Sequence, residues 1–425
     1  MKKAIPQRSP VRLAWHYAKA FLAALLYRFP ARSLTVIGIT GTDGKTTTVS
    51  MIMHILSQEG IAAGALSTAF MQIRDDRTWN TTQKTSPSPF LIQRFLRQLV
   101  QSGCTHAVLE ISSHGLVQGR LHHTSPSIAA ITNTSLEHLD YHGSLEQYRS
   151  DKGILFRMLK GKGTKVLNGG DDSFPLFTCI PSQKTITYRA QGKADLWIDA
   201  PRITSEGIGA RLHHAEESRE LALPIPGLFN LENALCAISC TLATGIPIAT
   251  SCAALRTFQG TPGRMERIDE GQPFSVYVDF TVTPAAYRKT LQTLRAMVAP
   301  GKRILVLTGS CGDRMREKRP MVGRICSELA DIVCVTNEDP YSEDPDAIIT
   351  EVWGGIDQSQ CQAHRIPDRH TAMAFLFEQA QPGDAVILCA KGSDTTMWTA
   401  QGQVPWNERE IARDLLRKQP CTEHI

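Results

Sequence analysis

No C-x-x-C pair occurs anywhere in the sequence, although it holds eleven cysteines. An odd, scattered set argues against a disulfide framework and against a zinc site, and it fits a reducing cytoplasm. Low-complexity runs and internal repeats are missing too. A strong charge surplus is likewise absent: the formal net charge of +5 is small for 425 residues. Nothing therefore calls for nucleic acid as a partner, while small anionic ligands fit. The chain is too long for one ordinary core, so two or three domains are expected of a composition that is otherwise globular.

A spanning segment and a secretory leader are not expected. Residues 13–29 are rich in Leu, Ala and aromatics behind a basic stretch, Met1 to Arg12. Lys19 interrupts the run, no small-residue cleavage site follows, and the stretch is too short and too charged to cross a bilayer. Residues 1–33 read as an amphipathic helical segment, its apolar side packed on the protein's own core. Peripheral membrane contact through residues 13–29 is the second reading.

What is present begins at Leu34 to Thr40, a β-branched apolar run of the kind that forms a buried parallel strand. A glycine turn, Gly41 to Gly44, follows, then a helical pattern from about Thr46 to Leu56. Ala107 to Ile111 and Ile128 to Thr132 read as further buried strands. Past the turn dipeptide Pro262–Gly263, strand-like runs at 275–280, 303–308, 332–336 and 385–389 alternate with helical stretches. The expected fold is α/β: a P-loop ATPase domain with a mostly parallel sheet over 34–261, then a Rossmann-like α/β domain over 262–425.

The turn carries the chemistry. In Gly38-Ile39-Thr40-Gly41-Thr42-Asp43-Gly44-Lys45-Thr46-Thr47-Thr48, glycines let backbone N–H groups curl around phosphate oxygens. The following helix directs its positive end at the anion. Lys45 can reach the outer phosphates, and the Thr46 hydroxyl can bind Mg²⁺. ATP and Mg²⁺ are the expected cofactors.

With its following motifs, this loop resembles that of the Mur ligases, the peptidoglycan peptide-stem synthetases, and within them the UDP-N-acetylmuramoyl-tripeptide synthetases. Glu110-Ile111-Ser112-Ser113-His114, with Gln118 and Arg120, is similar to a family motif. So are Thr132-Asn133 through His138-Leu139-Asp140-Tyr141-His142-Gly143, Gly227 through Ala234, Pro262-Gly263-Arg264-Met265-Glu266, Gly312-Asp313-Arg314 and Lys318-Arg319-Pro320. The resemblance covers about residues 34–415. It implies an ADP-forming acid–amino-acid ligase: a carboxylate becomes an acyl phosphate, and an amine displaces the phosphate.

The same resemblance implies roles. ATP would be held by Gly41, Thr42, Asp43, Gly44, Lys45, Thr46, Thr47, Asn230, Asn233, Arg264 and Asp279. Metal would be held by Thr46, Glu110, His138 and Lys152, the last as a carbamate. Lys45, Lys152, His138 and Arg264 are the catalytic set. Thr85, Ser86, Ser112, Gln118 and Arg120 would bind the muramoyl peptide; Asp339, Tyr341 and Asp394 the incoming amino acid. A cytoplasmic monomer acting on a muramoyl peptide and an amino acid is expected.

Four departures from the family pattern bear on specificity. Only about 33 residues precede the ATP strand, where the family has a uridine-nucleotide domain. Val282 replaces a histidine. Tyr341 replaces the arginine that pairs with the distal carboxylate of diaminopimelate, and Asp394 replaces a glutamate. The last two argue that the added amino acid is not diaminopimelate. A folylpolyglutamate- or cyanophycin-type amide ligase and a non-catalytic ATP-binding protein are the alternatives.

Overall fold

The structure, a computed structural model, describes residues 9–418 apart from 83, 136, 205 and 206. The chain divides between Gln259 and Gly260 into two compact units, two residues before the boundary read from the sequence. Residues 1–8 and 419–425 of the expected domains lie outside the described residues.

The first unit is built on an eleven-stranded sheet. At its centre Thr35–Thr40 runs parallel to His106–Glu110 on one side and Ile128–Ile131 on the other. Val36, Ile37 and Ile39 are fully buried, because helices cover both faces and a two-sided burial demands an unbroken apolar run. Lys45–Gln58 and Phe229–Ala243 pack on one face. Pro89–Gln101 and Leu145–Arg157 pack on the other. Antiparallel strands finish both edges: Phe70–Ile73 and Asp76–Trp79 at one, Gly207–His214 and Glu217–Leu223 at the other. All parallel strands therefore end on the side where the glycine turn and the Glu110 motif emerge, the usual place for a ligand.

The N-terminal helix spans Pro10–Leu26, with Ser9 accepting the Arg12 amide at 3.4 Å as its cap. It packs on the protein, but not through its large apolar residues. Ala20, Ala23 and Ala24 form the buried strip, against helix Pro89–Gln101, while Trp15, Leu22 and Leu26 face outward. Small residues allow the close helix approach, which turns the bulky ones away.

The second unit carries a six-stranded sheet in the spatial order 266–268, 275–279, 385–389, 304–308, 332–335, 362–365. Only the first strand is antiparallel. Pro284–Met297, Lys318–Leu329, Pro345–Trp353 and Arg369–Gln379 are its crossover helices. Glu408–Lys418 closes the unit through Glu408, fully buried and paired with buried Arg369 at 2.5 Å.

Candidate active site

In the first unit the phosphate loop is held from both sides. Gly41 and Gly44 have φ of +149° and +81°. A Cβ on Gly44 would stand 2.1 Å from the Asn233 side-chain oxygen, so only glycine fits there. Asn233 in turn donates to Asn230 at 2.9 Å, and Asn230 to the Pro226 carbonyl at 2.7 Å. The expected asparagine pair thus lies directly against the loop. On the other side Asn133 accepts the Asp43 amide at 3.0 Å and Thr132 donates to the Asp43 carbonyl at 2.6 Å. Lys45 opens the helix Lys45–Gln58 and its ammonium reaches back to the Thr42 carbonyl at 2.7 Å. Thr47 is buried in the first turn of the same helix.

Glu110 is the second fixed point. Nearly fully buried at the end of its strand, it accepts the Thr46 hydroxyl at 3.0 Å. Thr68 binds it twice, through the amide at 2.7 Å and the hydroxyl at 2.8 Å. Thr68 also meets Thr85 at 2.8 Å. A buried carboxylate whose partners are hydroxyls and an amide suits a hard, oxygen-preferring cation. Among the described residues no group of three or more His, Cys, Asp or Glu could hold a metal. The donors brought together are thus Thr46 and Glu110, the pattern of a mostly hydrated Mg²⁺ shared with phosphates.

Lys152 and His138 lie elsewhere around the loop. Lys152 is fully buried on helix Leu145–Arg157 and donates to the Gly41 carbonyl at 2.6 Å. Its ammonium also stands 4.4 Å from the Tyr148 ring centre. Burial first, then the charge of Lys45, holds the Lys152 amine well below the ordinary lysine range; Asp43 and Asp171 oppose this. His138 has a left-handed backbone (φ +57°) and its ring stands 4.8 Å from that of His114. His142, read from the sequence as structural, is clamped between Asp151 at 2.6 Å and Ser113 at 3.0 Å.

The expected acceptor residues form one network. Ser86 accepts the Ser112 amide at 3.0 Å, and Arg120 donates to the Ser86 carbonyl at 2.6 Å and to the Gln118 side chain. Ser112 also caps the short helix Ser113–Val117 by accepting the Gly115 amide at 3.1 Å. Nearby Thr82 folds onto Asn80 in a local turn instead.

In the second unit Gly263 (φ +66°) packs against Gly392 and Ser393, where a Cβ would lie 2.1 Å from the Ser393 nitrogen. This sets Arg264 over the Phe280 ring at 4.5 Å. Asp279 is buried and bonded inward, to the Met265 amide at 2.9 Å and to the Thr281 and Thr290 hydroxyls. Burial raises its carboxyl above the usual range. Lys318 donates to the Val282 carbonyl at 3.1 Å, so this loop is anchored through its backbone whatever side chain stands at 282.

Asp339 and Asp394 do converge, but not as a bare pair of carboxylates. Both meet the buried ammonium of Lys391, at 2.8 Å and 3.3 Å. Asp339 also accepts the Trp398 amide at 2.8 Å. Burial foremost pushes Asp394 up to about 6 and the adjacent Glu338 up to about 7. Tyr341 (φ +50°) stacks on Trp398 at 5.6 Å, with Arg314 at 5.1 Å from its ring centre. Arg365 and Arg369 are engaged with Asp346 and Glu408. Sequence reasoning missed Thr68, Asn133, Tyr148 and the role of Lys391. The T-N pair at 132–133 was visible as a motif; the other contacts have no local signal.

A P-loop unit followed by a mostly parallel α/β unit, with a buried carboxylate beside the loop threonine, defines a class of ATP-dependent ligase. Comparison narrows it. The Mur ligase middle domain matches residues 39–241, and the Mur ligase glutamate ligase domain matches residues 263–392. A UDP-N-acetylmuramyl-tripeptide synthetase from Roseiflexus is 36% identical over 94% of this chain and 82% of its own. The UDP-N-acetylmuramoyl-L-alanyl-D-glutamate–2,6-diaminopimelate ligase of Geobacillus kaustophilus is 33% identical over the same shares. A solved ligase of that latter name has a TM-score of 0.65 at 29% identity, covering 96% of this chain and 83% of its own. The folylpolyglutamate synthase of Mycobacterium tuberculosis shares the fold, with a TM-score of 0.72 at 16% identity, covering 88% and 92%. The chain belongs to the Mur ligase family and is an ATP-dependent acid–amino-acid ligase.

Proposed function

We propose that this enzyme joins the terminal carboxylate of a muramoyl peptide to the amine of an amino acid through an acyl phosphate. One observation carries the reading. The strand His106–Glu110 ends in Glu110, bonded to loop residue Thr46, and two residues later Ser112 begins the Ser86–Gln118–Arg120 network. Nucleotide and acceptor are thereby served from one strand end. The acceptor carboxylate attacks the γ-phosphorus of ATP, and ADP departs. The amine then adds to the acyl carbon, loses a proton and expels phosphate.

Both steps place negative charge on phosphate oxygens, so cations and oriented donors do most of the work. Lys45 and the loop amides bind the phosphates. Thr46 and Glu110 would hold Mg²⁺, which supplies further charge neutralisation there. A neutral buried amine is the form that adds to CO₂, releasing a proton, so the Lys152 environment favours a carbamate, which would set an anion beside Lys45. His138 and Arg264 complete the proposed catalytic set, and Asn230, Asn233 and Asp279 the nucleotide contacts.

For the incoming amino acid, the named relatives include diaminopimelate ligases, yet Tyr341 offers no fork for a distal carboxylate. Lys391 is already bound by Asp339 and Asp394. With no fork at 341 to pair it, a second carboxylate buried beside Asp339 and Asp394 is disfavoured, and a side chain such as that of lysine or ornithine fits better. Phosphate release across a matrix of muramoyl peptides and amino acids, with mass spectrometry of the products, tests the reading. Ligation of diaminopimelate in preference to lysine and ornithine would overturn the specificity.

A further inference from the structure

The N-terminal helix has its apolar face outside. Alanines make its packed side, whereas Val11, Trp15, Phe21, Leu22, Leu25 and Leu26 are between 48% and 72% exposed. At 100° per residue these six, with Ala14 and Ala18, fill one continuous arc free of polar side chains. Isolated exposed apolar residues are ordinary; a contiguous arc this wide marks an interaction surface.

Charge identifies what would cover it. Seven Lys and Arg, and no Asp or Glu, precede Asp43 in the sequence, against a whole-chain surplus of five, so the remainder of the chain is slightly acidic. Lys19 and Arg12 border one edge of the apolar arc, and Arg28 and Arg32 are exposed just past the helix. Lys19 lies 4.9 Å over the Trp15 ring and Arg32 4.5 Å over Phe29. Apolar bulk in the centre, aromatic rings at its margin and cations along one edge and past its end are the pattern of a helix lying in the plane of an anionic bilayer. A second copy of the chain would bring like charge against like. Among the described residues no helix is long and apolar enough to cross a membrane, so the contact is with one surface.

We infer that residues 10–32 seat this enzyme on the surface of a bilayer containing anionic lipid. One edge of the arc leans on the acceptor loop: half-exposed Tyr17 packs edge-on against His122 at 4.4 Å, and Phe21, at the arc's margin, against His123 at 5.7 Å. The loop that carries Gln118 and Arg120 is therefore held next to the proposed membrane face.

Flotation of the full chain with phosphatidylglycerol-containing vesicles, and with phosphatidylcholine vesicles alone, tests this without reference to catalysis. The wild type should float with the anionic vesicles, and less as salt rises. The exposed triple variant Trp15→Ser, Leu22→Ser, Leu26→Ser should keep its melting temperature and lose at least about tenfold in partitioning. Arg12→Gln with Lys19→Gln should lose binding only to the anionic vesicles. Unchanged flotation of the triple variant, or no flotation of the wild type, overturns the proposal. So does a concentration-dependent dimer, seen by sedimentation, that the triple variant abolishes.

Discussion

Replacing Lys152 separates its proposed chemistry from its packing. Lys152→Ala would strip the Gly41 carbonyl of its 2.6 Å donor inside a closed site, costing about 1–3 kcal/mol, and would leave a cavity worth a further ~2–5 kcal/mol. Loss of activity in that variant alone would therefore be ambiguous. Lys152→Met keeps the volume. In CO₂-free buffer the native amine resists protonation when folded, so folded stability falls as pH drops from the ordinary lysine value of 10.5 toward the depressed one. The methionine variant loses the Gly41 donor too but escapes that protonation loss, so the two offset and it should melt close to wild type at neutral pH. Its kcat should nonetheless fall about 10²–10³-fold, equivalent to roughly 2.7–4 kcal/mol of transition-state stabilisation. Short carboxylic acids should partly rescue Lys152→Ala, whose cavity can admit them. Wild type depleted of CO₂ should regain activity with bicarbonate, less so as acid protonates the amine. A folded Lys152→Met enzyme within threefold of wild type, on the same scale of effect, would refute the reasoning.

Other outcomes follow from the same contacts. Lys45→Ala should reduce ATP turnover by about 10²-fold or more, measured as ADP release. Glu110→Gln should raise the Mg²⁺ concentration needed for half-maximal rate while leaving the fold intact by circular dichroism, because the amide oxygen still accepts the Thr46 hydroxyl. KM for lysine or ornithine should fall as pH rises through 6–7, where Asp394 and Glu338 lose their protons; a flat profile would exclude them from recognition. The sign reverses for stability. A raised carboxyl stabilises below its ordinary value of 4.5 and loses that contribution as pH climbs toward about 7, so Glu338→Gln should stabilise the enzyme at pH 8, on the order of 1–3 kcal/mol, in thermal unfolding.

Legibility in the sequence tracked locality. The loop was readable because positive φ at Gly41 and Gly44 and a helix start at Lys45 are constraints written in consecutive residues. The Leu34 to Thr40 run was readable because two-sided burial keeps Val36 to Ile39 free of polar side chains. Edge strand Gln362–Arg365 carries no apolar alternation and went unseen. The pairing of Lys391 with Asp339 spans 52 positions, so the sequence offered two carboxylates and hid their counter-charge. The N-terminal helix shows a related dependence: periodicity reports that an apolar face exists, and only packing decides which side of the helix is covered.

The central claim is that an acyl phosphate forms between the acceptor carboxylate and ATP. Supplying a muramoyl peptide whose terminal carboxylate carries a heavy oxygen isotope, together with ATP and the preferred amino acid, tests it directly. The account predicts one labelled oxygen in each phosphate released, for every amide bond formed. Amide formation with unlabelled phosphate, or ATP hydrolysis indifferent to the acceptor, would contradict it.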